Sequence, residues 1–133
     1  MPSQWENLVV DARDPARLGR WWAEALGYQI TCEKPDALEI RRAPDAGPGL
    51  VFVAVPEPKE LKNRLHIDLR PVDQNGEVER LVDMGARHVD VGQADGVGWV
   101  VLADPEGNEF CVLQERGPAE ESPESPGESR RGG

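Results

Sequence analysis

The stretch Asn7-Leu8-Val9-Val10-Asp11-Ala12-Arg13-Asp14-Pro15 decides how this chain folds, because a second stretch answers it: His66-Ile67-Asp68-Leu69-Arg70-Pro71-Val72-Asp73. Each is a β-prone run that ends on an aspartate placed to start a helix. An Asp side chain accepts from the free N–H groups of a first helical turn. Pro15 then fits the first helical position, where no N–H is needed. After Asp14, the residues Leu18, Trp22, Ala25 and Leu26 form one apolar stripe at helical spacing. Gly27 ends the helix, as a left-handed C-terminal residue does. After Asp73 the stripe is Val78, Leu81 and Val82, and the helix ends near Gly85.

Three strands follow each helix. In the first half they are Tyr28 to Glu33, Leu38 to Arg42 and Leu50 to Val55, and in the second Arg87 to Val91, Trp99 to Ala103 and Glu109 to Glu115. Asp104-Pro105-Glu106-Gly107-Asn108 joins the last two by turn chemistry. Along the chain, Asn7 matches His66 and Asp14 matches Asp73 at an offset of 59, while Gly27 and Gly85, Phe52 and Phe110, and Glu57 and Glu115 match at 58. A repeat of this kind dictates the architecture. The expectation is an α+β fold of two βαβββ modules, about residues 5–57 and 64–115, within one domain over residues 1–116. One such module is too small to close its own core, so the two should pack together. A ferredoxin-like sandwich has fewer strands per helix and ranks second.

Residues 117–133 are Pro, Glu, Ser, Gly and Arg with one Ala. They cannot bury enough apolar area to offset ordering entropy and are expected to be a disordered tail. The formal net charge is −10, and five Glu against three Arg in residues 115–133 account for −2 of it. This excess argues against nucleic-acid and membrane partners, both of which need clustered Lys and Arg. Cys32 and Cys111 make no disulfide framework. No N-terminal secretory pattern and no apolar run of spanning length is present, so a cytoplasmic location is expected.

Three segments together resemble the glyoxalase/bleomycin-resistance/dioxygenase group, the vicinal oxygen chelate superfamily. They are Asp14-Pro15 with Trp21-Trp22 and Leu26-Gly27-Tyr28, then Asn63 to Leu69, then Asp104 to Phe110. The resemblance runs from about Trp5 to Glu115. It implies a curved, mostly antiparallel sheet around a cleft, and homodimers. It also implies, in enzymatic members, a divalent metal held from the first and last strands of each module. Those positions are here Asn7, Val53, His66 and Cys111, so both expected carboxylates are missing. Such a set is too poor in donors for a hard or borderline ion. The expectation is therefore no bound metal, with a divalent ion left open. Glu57 and Glu109 are the nearest carboxylates.

The candidate ligand cleft comprises Asn7, Asp11, Val53, His66, Cys111 and Trp22. His66 is the best candidate catalytic residue: it lies on the polar face of an alternating strand with Asp68, and imidazole titrates near neutral pH. A structural histidine is the competing reading. Cys111 reads as a small core hydrophobe, or as a thiolate that His66 activates. Of Trp21 and Trp22, one fills the core and the other faces the cleft or a partner. Asp11 is a polar cleft group or a partner for Arg13 or Arg70. The function expected is binding of a small apolar or aromatic molecule. The alternative is a glyoxalase-type lyase, isomerase or dioxygenase that uses His66.

Overall fold

The structure, a computed structural model, describes residues 2–89 and 98–116. The first module is β1 (Asn7–Ala12), α1 (Pro15–Leu26), β2 (Gln29–Lys34), β3 (Ala37–Arg41) and β4 (Gly49–Ala54). The second is β5 (Ile67–Leu69), α2 (Gln74–Asp83), β6 (Arg87–His88), β7 (Val100–Ala103) and β8 (Glu109–Val112). Each module is a four-stranded mixed sheet in the same order, β1-β4-β3-β2 and β5-β8-β7-β6. The first strand pairs parallel to the last, and the other pairings are antiparallel. The α+β class and the βαβββ modules read from the repeat are therefore present. By contacts, the chain divides into one unit that runs to Lys62 and includes Asp104–Asn108, and a second of Asn63–Ala103 and the chain from Glu109 on.

In the first module, cross-strand rows point one face of the sheet at α1. Val10, Phe52 and Leu38 form one row, and Leu8, Leu50 and Ile40 the next. Phe52, Leu38, Ile40 and Leu18 are fully buried; each contributes about 2 kcal/mol by leaving water. The helix can approach this closely because residue 19 is Gly: a Cβ there would run into Leu38 and Phe52. Asp14 caps α1 by accepting from the Arg17 N–H at 3.1 Å, and Gly27 closes it at φ 70°. The second module has a thinner helix contact. Of the expected stripe only Leu81 is buried, while Val78 is half-buried and Val82 exposed. The sheet core there is Phe110, Leu102 and Val112.

Several strand ends differ from expectation. The strand expected over Leu65 to Val72 is only Ile67–Leu69, because only those residues have register partners on β8. The strand expected from Arg87 to Val91 covers Arg87–His88, and its far end lies outside the described residues, as does the expected disordered tail. Among the described residues no helix is long and apolar enough to cross a membrane.

Trp21 and Trp22 are both buried, 9% and 4% exposed, in edge-to-face contact at 5.1 Å between ring centres. The split expected for this pair is not observed. The Trp22 indole N–H donates to Asp104 Oδ2 at 2.9 Å. Asp104 is itself fully buried, and its Oδ1 accepts from the Glu106 and Asn108 N–H groups at 2.9 Å. A buried carboxylate must be satisfied in this way, or its desolvation is not offset. Gly107 supplies the positive φ, 91°, that closes the turn. The turn thus has the local chemistry expected of it and a second role: the Glu106 carboxylate accepts from the Arg13 and Asp14 N–H groups at 2.8 and 2.9 Å.

Candidate functional site

Within the second module, parallel strands β5 and β8 bring three donors together. Asp68 is the register partner of Cys111, and Cys111 in turn is the partner of Val101 on β7. Cross-strand partners share a face, and residues two apart on a strand do too. His66, two residues before Asp68, lies beside it: His66 Nε2 is 3.2 Å from Asp68 Oδ1. One ring nitrogen of His66, one carboxylate oxygen of Asp68 and Cys111 Sγ all lie within 4.8 Å of one another. Cys111 is buried at 8% exposure, whereas the His66 and Asp68 side chains are 45% and 31% exposed. The sulfur therefore forms the floor of the group, and the imidazole and carboxylate form its rim.

The first module has the same sheet order but a different set of side chains. There Asp11 is the partner of Val53, and Asn7 is the partner of Gly49. By register, then, Asp11 and Val53 hold the places of Asp68 and Cys111, and the residue two before Asp11 is Val9. Matching along the chain had instead set Asn7 against His66. The difference comes from the connection to the helix: Asp68 and the cap Asp73 are two residues further apart than Asp11 and the cap Asp14. Asn7 and Val53 therefore do not sit opposite each other. The Asn7 carbonyl accepts from the Trp5 indole N–H at 3.1 Å. At the places of His66, Asp68 and Cys111 the first module carries Val9, Asp11 and Val53, of which Asp11 alone is a donor.

Of the expected cleft residues, the structure brings together His66 and Cys111, and places Asp11 and Val53 as register partners in the other module. Trp22 is in the core of the first unit, with its N–H on Asp104. Glu109 does not join the cluster: its Oε1 accepts from the Asn63 N–H at 3.2 Å. Arg70 donates to the Gln114 carbonyl at 2.6 Å. Asp68 is the residue that motif matching passed over. Its signal was present in the alternation of His66, Ile67 and Asp68.

A second feature lies in the first module. A cavity of about 200 Å³ is lined by Cys32, Lys34, Ala37, Leu38, Glu39 and Val51. Nearby, the buried Arg41 guanidinium binds Glu6 at 2.7 Å and Glu39 at 3.0 Å. The Arg41 hydrogen bond, followed by that of Thr31, holds the Glu39 carboxyl below the usual glutamate range. Every charge in this network has a partner, so it reads as structural.

The donors on β5 and β8 suit a borderline cation. Nitrogen, oxygen and sulfur at three positions, with the fourth open, is a common arrangement for zinc-type ions. The same set does not suit calcium or magnesium, which take six or more oxygens. Asp68 adds a donor to those expected from the sequence in this module, His66 and Cys111 with Glu109 as the nearest carboxylate.

The glyoxalase-like domain family matches residues 7–113. No curated protein matches the sequence. Several solved structures share the fold. A glyoxalase/bleomycin resistance protein/dioxygenase family enzyme from Burkholderia phytofirmans PsJN is 19% identical with a TM-score of 0.64, over 84% of this chain and 98% of that one. The trypanothione-dependent glyoxalase I of Leishmania major is 14% identical with a TM-score of 0.63, over 86% and 88%. A bleomycin resistance determinant encoded on the transposon Tn5 is 20% identical with a TM-score of 0.53, over 85% and 98%. With its paired βαβββ modules and a match spanning both, the chain belongs to the glyoxalase-like domain family.

Proposed function

We propose that this chain binds a small molecule on the His66 face of the second module's sheet, as a homodimer in a reducing compartment. The observation that carries the reading is the convergence of His66, Asp68 and Cys111, whose matching places in the first module are Val9, Asp11 and Val53. The rim pair offers a polar contact to a ligand heteroatom. Trp99, on the same face by alternation, offers aromatic surface at 42% exposure, above the buried Val101. A mostly apolar surface with a few convergent polar groups is the usual make-up of a small-molecule site. Low-identity fold relatives leave the compound open, because one scaffold hosts many chemistries.

Tryptophan emission tests the reading, because Trp99 is half-exposed on the proposed face. Titration with a panel of aromatic and apolar compounds should perturb emission in the parent and much less in Trp99→Phe. A panel-wide absence of response, or an undiminished response in Trp99→Phe, contradicts it.

The contact between His66 and Asp68 favours one further reading, a lyase, isomerase or dioxygenase of the glyoxalase type. A carboxylate beside an imidazole orients the ring, which suits general acid–base work. Turnover that survives His66→Ala in a folded protein would exclude that role.

A further inference from the structure

We infer that the small molecule bound on the His66 face is an aromatic carboxylate, and that Arg87 is the residue that selects its anionic group. The inference rests on the ligand face proposed above and names the class of compound that face takes. Three observations carry it.

The first is position. Arg87 on β6 is the register partner of Ala103 on β7, and Ala103 is the partner of Glu109 on β8. Val101 lies two residues before Ala103, and Cys111 two residues after Glu109. All of them therefore share the face that carries His66 and Asp68. Trp99 lies on this face too, two residues before Val101. Ala103 is 1% exposed and has only a methyl group, which leaves room for the long Arg87 stem to lie across β7 towards Val101.

The second is the state of the charges. Arg87 is exposed, and its guanidinium has no hydrogen-bonded or ionic partner among the described residues. Arg70, the other arginine that alternation puts on this face, is engaged by the Gln114 carbonyl at 2.6 Å. The carboxylates of the face are engaged as well, Asp68 with His66 and Glu109 with the Asn63 N–H. Arg87 is the arginine left for a ligand.

The third is chemistry. A guanidinium is planar, stays protonated and binds a carboxylate through two parallel N–H groups. Trp99, at 42% exposure, offers a flat apolar surface to a ring. Trp99 and Ala103 are four residues apart on an extended chain, about 13 Å. The arginine stem shortens that span, so a ligand of one or two rings with one carboxylate reaches both groups. In a chain of net charge −10, holding an anion requires a local cation of this kind. A charge on an edge strand such as β6 also blocks unwanted strand pairing, but that role confers no preference among ligands.

Calorimetric titration of the full-length chain with 2-naphthoate and with its neutral counterpart 2-naphthamide tests the inference. The carboxylate should bind at least about 10-fold more tightly, the worth of one charge-assisted contact. Arg87→Gln should abolish that preference and leave the amide affinity unchanged. Arg87→Lys, which keeps the charge without the planar fork, should retain part of the preference. Arg17→Gln, on α1, should alter neither affinity, and Trp99→Phe should weaken both probes alike. Equal binding of the two probes by the parent overturns the inference, as does a preference that survives Arg87→Gln. If the amide still binds in a Trp99-dependent way without any preference for the carboxylate, the role of Arg87 falls and the ligand face stands. If neither probe binds, both fall.

Discussion

Asp68 and Cys111 face each other across β5 and β8, whereas Asp11, in the matching place of the first module, faces Val53. One sheet order thus presents three donors at these places in one module and, at the matching places Val9, Asp11 and Val53, a single carboxylate in the other.

The two cysteines should differ in reactivity. Cys32 is exposed and Cys111 buried. A disulfide reagent should label one thiol per native chain quickly and the second only on unfolding, since reactivity requires access. Quick labelling of both would contradict the burial of Cys111.

Asp104→Ala should cost about 3 kcal/mol of stability, because it removes the acceptor of the buried Trp22 indole N–H and of two half-buried turn N–H groups. Urea denaturation would measure it. A loss below about 1 kcal/mol would mean that these groups find water.

Gly19→Ala should be destabilising although Ala is the better helix former. The added methyl meets the side chains of Leu38 and Phe52, both fully buried. Overpacking of this sort costs about 1–3 kcal/mol. A higher melting temperature for the Gly19→Ala variant than for the parent would show that the helix can lift from its sheet.

Acid sensitivity should involve Glu39. Its carboxyl is held below the usual range by Arg41 and then Thr31, so ionised Glu39 stabilises the fold above the unfolded value, near 4.3. That stabilisation is lost as pH falls through the lower folded value. Glu39→Gln should therefore cost about 1–2 kcal/mol at neutral pH and progressively less below about pH 4. An equal loss at all pH values would mean that shape and not charge is at stake.

Local chemistry made much of the fold legible. Asp14 accepts from the first turn of α1 as its position before Pro15 suggests, and Gly27 adopts φ 70° where the apolar stripe stops. What stayed hidden depends on distance along the chain. Trp22 is 82 residues from Asp104, and neither residue signals the other. The register of β5 against β8 was also hidden. The longer link from Asp68 to Asp73 shifts it without changing the face, so the linear match of Asn7 with His66 did not survive, while the alternation of His66 and Asp68 did.

The most direct test of where this protein works is a two-dimensional 1H–15N spectrum of the labelled chain, titrated with a compound that quenches its tryptophan emission. Ligand on the His66 face predicts shifts concentrated at Ile67 to Leu69, Trp99 to Ala103 and Glu109 to Leu113. Shifts concentrated instead at Cys32, Lys34, Glu39 and Val51, around the first module's cavity, would contradict it.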